Sequence, residues 1–264
     1  GITVAIIDSG VERDHPAVGG RLVHSVRVDL SGEEPVVLDD PEAADVVGHG
    51  TACAGIIHGL APAAEIVSVR VLGPDNKGKG AAFAAGLEWA IEQGADVVNL
   101  SLSSKSDALY AAFHELADAA YFANVLLVSA ANNVPGPSCP SLFAAVVSVA
   151  AHDVPDPWTW FYNPAPPVEF GAYGLDVDVA WRDGGRILAT GNSFAAPHVA
   201  GNSLGGRVAL EAGAAGHLSK DARRSEIVEA VLDAARGKTV LPPEVAAGDR
   251  DRPADPAHLR RQER

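Results

Sequence analysis

Short β-branched runs alternate with helix-length segments along most of this chain, and that alternation constrains the fold more than any other feature. Residues 2–7 (ITVAII), 65–71 (EIVSVRV), 95–102 (ADVVNLSL), 124–130 (NVLLVSA) and 145–150 (AVVSVA) are rich in apolar residues at both parities. Strands buried on both faces have that pattern. Between them, residues 80–93, closed by Gly94, and residues 107–122 read as helices. Strands and helices in this order build βαβ units. The expected fold class is therefore α/β: three layers, a doubly wound and mostly parallel sheet with helices on both faces. Sites in such sheets gather at the carboxyl ends of the strands. The first run ends there on the turn Asp8-Ser9-Gly10.

The 264 residues suffice for a large core, and with no internal repeat they read as one domain over 1–236. Residues 237–264 carry four prolines and eleven charges without apolar periodicity, and read as a charged tail. Residues 29–45 hold seven acidic side chains and no Lys or Arg. The net charge of −14 argues against nucleic acid or an anionic membrane as partner, because phosphate binding needs a basic surface. No apolar stretch reaches the length of a membrane span, and no basic segment precedes the first apolar run, so neither a span nor a secretory leader is expected. Two cysteines cannot form a disulfide framework or a four-cysteine zinc site, and they leave the compartment open.

Three local signatures carry chemistry. Asp8 is a carboxylate at a strand end. His49 sits between glycines in Gly48-His49-Gly50-Thr51, at the expected start of a helix. Ser193 opens a helix in GNSFAAPHVAG (191–201), whose early proline is read as falling where first-turn N–H groups lack acceptors. A serine hydroxyl needs a base to take its proton. Imidazole serves near neutral pH, and a carboxylate fixes its tautomer and stabilises the imidazolium. A serine at a helix N-terminus also has N–H groups and the positive dipole end beside it, which favour an oxyanion.

With these boxes in the order Asp, His, Ser, the chain resembles the subtilisin-like serine proteases, the subtilases, over about residues 1–215. The intervening segments VRVLGPDNKGKG, GLEWAIEQGADVVNLSLS, LLVSAANN and AVVSVAA match in order as well. The resemblance implies a catalytic triad of Asp8, His49 and Ser193, working without a cofactor on a peptide or protein substrate. It implies Asn133 as side-chain oxyanion donor beside the Ser193 N–H. Asn76, Lys77 and Gly78 and, opposite, Ser101, Leu102 and Ser103 would be the two edges that hold an extended substrate. The pocket for the residue before the scissile bond would lie among Ser101–Ser103, Ala130–Asn132 (Ala131 and Asn132 above all) and the loop near Ser138. The resemblance also implies a propeptide, usual in the family, as a possible partner outside this sequence.

Several positions depart from the family pattern. Asn192 replaces the usual Thr and is expected to add an oxyanion donor. Phe194 replaces the common Met and is expected to narrow the leaving-group side. Asn132, Ser103 and Ser104 stand where glycines are usual, which puts side chains on the pocket rim. After the His box, residues 56–62 run on without the family's calcium loop, and Ala17 stands where a calcium-ligating Asp is frequent, so no metal site is expected. Cys53, one helical turn after His49, reads as a buried thiol rather than a zinc half-site. Asn99-Leu100-Ser101 matches the glycosylation pattern but falls in an expected buried strand. Asp176 and Asp178 read as a solvated strand end. The acidic stretch before His49 is expected to rim the cleft and favour basic peptides. The rival readings are a dedicated maturation protease trimming one precursor, a peptide-binding pseudo-protease, and a self-cleaving domain.

Overall fold

A computed structural model of the chain describes residues 2–134, 136–163 and 167–204. Residues 205–236 of the expected domain and the tail 237–264 lie outside the described residues. In chain order the strands are β1 (Thr3–Asp8), β2 (Leu22–Asp29), β3 (Val36–Asp39), β4 (Glu65–Arg70), β5 (Val97–Leu100), β6 (Leu126–Ala130), β7 (Val146–His152), β8 (Phe161–Tyr162), β9 (Phe170–Tyr173), β10 (Val177–Trp181) and β11 (Gly185–Ala189). The helices are α1 (His49–Leu60), α2 (Gly80–Glu92), α3 (Tyr110–Phe122) and α4 (Asn192–Leu204).

Nine strands form one sheet in the order β3-β2-β4-β1-β5-β6-β7-β9-β8. Every pairing from β2 to β9 is parallel, and the antiparallel strands β3 and β8 close the two edges. β10 and β11 make a separate antiparallel ribbon. The period-two alternation within strands sorts side chains to the two faces. Val4 and Ile6 of β1 join Ile57 of α1 and Val199 of α4 on one face. Ala5 and Ile7 join Leu87 of α2 and Phe113 of α3 on the other. Fully burying each of these large aliphatic or aromatic side chains is worth about 1.5–3 kcal/mol relative to exposure. The three-layer, doubly wound α/β fold read from the sequence is the one observed.

The expected strands and helices fall within a few residues of their places, and α2 ends before Gly94, at φ +71°. The sequence reading missed β2, β3 (which lies inside the acidic stretch), β8, β9 and the β10–β11 ribbon. Among the described residues, no helix is long and apolar enough to cross a membrane.

This topology positions a site. The chain builds β2 and β4 on one side of β1 and then places β5 on its other side, so the winding direction switches at β1. Asp8, the last residue of β1, is therefore at the crevice such a switch opens. α1 and α4 pack against each other on the same face of the sheet, and their N-terminal residues meet there.

Candidate active site

His49 is the first residue of α1, and its approach to β1 depends on the glycine that follows. A Cβ on Gly50 would collide with the carbonyl oxygen of Gly10 and lie 3.2 Å from Cβ of Asp8, so only glycine lets the helix start sit this close. Nδ1 of His49 lies 2.9 and 2.8 Å from the two oxygens of Asp8. Asp8 is fully buried and also accepts the N–H of Ser9 at 2.7 Å. Burial of His49 disfavours its charged form, but the charge and hydrogen bond of Asp8, together with the charge of Asp45, outweigh that cost. The imidazole pKa is raised above its ordinary value.

Asp45 was read from sequence only as one of several cleft-rim acids. It is instead a buried acceptor hub. One carboxylate oxygen takes Ser9 Oγ (2.8 Å) and the N–H groups of Val47 (3.0 Å) and Gly48 (2.7 Å). The other takes the N–H and the hydroxyl of Thr51, at 2.8 and 2.7 Å. Ser9 Oγ in turn accepts from Gly50 N at 3.1 Å. The carboxylate thus satisfies orphan donors at the start of α1 and ties that helix to the segment carrying Asp8.

Ser193 lies in the first turn of α4 and lines the same cleft as His49 and Asn133. Oδ1 of Asn133 accepts the N–H of Asn192 at 2.9 Å, which orients the amide beside the helix start. A side chain on Gly191 would begin 3.4 Å from Ser193 Oγ and 3.6 Å from Asn133 Nδ2, so the glycine keeps the space between them open.

Pro197 lies beyond the first turn of α4, not within it as the sequence suggested. The N–H it lacks would have bonded the carbonyl of Ser193. That carbonyl instead accepts Ser101 Oγ at 2.8 Å, with Cys53 Sγ at 3.7 Å. Ser101 Oγ itself accepts from Asn99 Nδ2 at 3.0 Å, so a buried polar chain runs beneath the serine.

Two other expectations about this helix are corrected. Asn192 Nδ2 donates to the carbonyls of Ala131 (3.0 Å) and Asn132 (3.3 Å), and Oδ1 accepts from Ala151 N (2.8 Å). Its amide hydrogens are spent bracing the loop before Asn133, and none is left for an oxyanion. Phe194 is buried with Ala52, Val177 and Val179, and its ring centroid lies 5.3 Å from that of His49. It walls one side of the imidazole rather than narrowing the leaving-group side.

Cys53 is fully buried, with Sγ 3.3 Å from Ser101 Oγ and 3.9 Å from Asp8 Oδ2. Burial and the Asp8 charge push its thiol well above the ordinary range, so it stays protonated as a donor. Asp8, His49 and Cys53 are the one group of possible metal ligands found among the described residues. Asp8 and His49 are already committed to each other, and the protonated thiol is a poor ligand.

Of the expected substrate contacts, Asn76, Lys77, Gly78, Ser101, Leu102, Ser103, Ala131 and Asn132 all line the cleft. Ser138 does not. It is buried behind Asn132, accepting that residue's N–H at 3.3 Å and pairing with Ser141 Oγ at 2.9 Å. The acidic rim is also corrected. Asp40 is paired with Arg70 at 3.0 Å and Asp39 with His24 at 3.0 Å, while Asp45 is internal. The charged side chains that do line the cleft, His49 aside, are Lys77 and Lys79. Asn99 is buried in β5, as expected, and Asp178 faces Arg186 at 3.0 Å.

A doubly wound α/β fold with an Asp–His pair at its switch point, in one cleft with a serine at a helix start, defines a narrow class of proteins. The subtilase family model matches residues 1–209. Subtilisin BL of Lederbergia lenta is 32% identical over 76% of the chain and 74% of its own length. Thermitase of Thermoactinomyces vulgaris is 31% identical over 76% and 73%. The thermostable alkaline protease of Halalkalibacterium halodurans is 32% identical over 76% of the chain, which spans 55% of that protein. The crystal structure of a cold adapted subtilisin-like serine proteinase superposes with a TM-score of 0.60 at 27% identity, covering 81% of this chain and 76% of that one. The chain belongs to the subtilase family.

Proposed function

We propose that the chain is a serine endopeptidase that cleaves peptide bonds through an acyl-enzyme on Ser193. The observation that carries this reading is the Asp8–His49 pair, with both carboxylate oxygens within 2.9 Å of Nδ1, in one cleft with Ser193 and Asn133. Asp8 holds the proton of His49 on Nδ1 and leaves Nε2 as the base. Nε2 takes the Ser193 proton as Oγ bonds to the substrate carbonyl carbon, and the carbonyl π electrons move onto oxygen. The Ser193 N–H, which has no intrahelical acceptor, and Asn133 Nδ2 hold that oxyanion. Collapse expels the amine, which leaves with the proton from His49, and water repeats the sequence on the ester. No step calls for a cofactor. The edges at 76–78 and 101–103 hold the substrate in extended form.

Replacing Asn133 by Ala is expected to lower kcat by about 10²–10³, with KM little changed, as loss of a single oxyanion donor does in subtilisin. Steady-state kinetics on a peptide amide checks this, and a change confined to KM would move Asn133 from the oxyanion to substrate binding.

The pH profile has a definite sign. His49 must be neutral to act, and its pKa is raised, so kcat/KM rises with pH through one ionisation whose midpoint lies above about 6.5. A profile flat from pH 5 to 8 contradicts His49 as the base, and a midpoint below 6 contradicts the upward shift that Asp8 and Asp45 impose on it.

A further inference from the structure

We propose that the pocket for the residue before the scissile bond is closed by a polar strap, so that this protein cleaves after small side chains (Gly, Ala, Ser) and discriminates against large apolar ones. The inference rests on the protease reading above and names its substrate class.

β5 and β6 are neighbouring parallel strands, with Leu100 opposite Ser129. The segments that continue from their carboxyl ends, 101–104 and 131–133, line the cleft next to Ser193. A substrate whose carbonyl oxygen lies at Asn133 and whose backbone runs along 101–103 projects its acyl-side side chain between these segments. In this chain side chains occupy that gap. Asn132 Nδ2 donates across it to Ser103 Oγ at 3.3 Å.

Asn132 is not free to swing aside. Its Oδ1 accepts the N–H of Val134 at 2.9 Å, and its own N–H is held by the buried Ser138 hydroxyl. Farther out, Lys105 Nζ donates to the carbonyl of Val134 at 3.1 Å. The remaining side is sealed as well, because Ser104 and Cys139 exchange both backbone hydrogen bonds at 2.9 Å. A Phe or Leu side chain would have to break the Asn132–Ser103 bond and leave its amide and hydroxyl unpaired under apolar surface. A methyl group or hydrogen meets the strap without displacing it.

Tetrapeptide p-nitroanilides identical except for Ala or Phe before the scissile bond test this on the full chain. The wild type is expected to favour Ala at least tenfold in kcat/KM. The double variant Ser103→Gly, Asn132→Gly should raise the Phe-to-Ala ratio by roughly 10²-fold, within the range that one or two methylenes command in a specificity pocket. Ser103→Ala, which keeps the backbone and removes only the acceptor, should move the ratio the same way by a smaller factor. Wild-type cleavage after Phe at or above the Ala rate, or a ratio that neither variant moves, overturns the strap while the protease reading stands. If no peptide is cleaved in a manner that Ser193→Ala abolishes, the protease reading falls and this inference with it.

Discussion

Replacing Ser193 by Ala is expected to remove about 10⁶ from kcat, the loss that follows when the serine or histidine of subtilisin is removed. The effect is that large because the groups act as a unit. Without Oγ there is no acyl-enzyme, and the Asp8–His49 pair has no proton to take. What survives is binding and the oxyanion donors, which together still exceed the uncatalysed reaction by about 10³–10⁴. The fold should be unchanged. Ser193 contributes its carbonyl, not its hydroxyl, to the bonds from Ser101 and Cys53, and alanine keeps that carbonyl. Labelling by a serine-directed phosphonate should disappear along with turnover, while circular dichroism and melting temperature stay at wild-type values. Near-normal hydrolysis by a correctly folded Ser193→Ala variant would end the acyl-enzyme reading.

The parts of this molecule that were legible in the sequence are those written locally. Runs such as ITVAII and NVLLVSA announce strands covered on both faces, because β-branched residues at both parities have no polar side to turn to water. Asp8, His49 and Ser193 were legible because each sits in a short motif whose glycines and helix start are set by its immediate neighbours. What stayed hidden depends on how separate loops arrive. Nothing local distinguishes Asp45 from Asp39 or Glu42. One is buried against the start of α1, whereas Asp39 and Glu42 are exposed. Val36–Asp39 is three apolar residues among acids, too short and too charged to read as an edge strand, yet it pairs antiparallel with β2. Asn192 looked like a donor aimed at the substrate, because a residue beside a nucleophile is near the chemistry in sequence. Its direction is set by the carbonyls of Ala131 and Asn132, some sixty residues away. Phe194 likewise turns into a pocket made by α1 and the β10–β11 ribbon, an element that left little sequence trace.

Asp45→Ala is expected to cost about 3–5 kcal/mol, because a buried donor left unsatisfied costs about 1–3 kcal/mol and more than one is stranded here. For a domain of this size that lowers the melting temperature by roughly 6–20 °C. Five hydrogen bonds converge on this carboxylate from four residues, so its removal strands several donors at once rather than deleting one contact. The donors lie on both sides of the junction between the Asp8 segment and α1, so kcat should fall as well. Destabilisation alone would not establish that Asp45 positions the site, and the pH profile supplies the second readout. The negative charge of Asp45 raises the His49 pKa, although less than that of Asp8 does. Asp45→Asn keeps one carbonyl acceptor and the side-chain shape while removing the charge. It should therefore melt between the wild type and Asp45→Ala, and its kcat/KM profile should reach half-maximum at a lower pH than the wild type. A midpoint that stays put in Asp45→Asn, or moves upward, would reduce Asp45 to a structural cap with no electrical influence on the histidine. If Asp45→Ala melted within a degree or two of wild type, the network drawn around this carboxylate would be contributing little to holding α1 against β1.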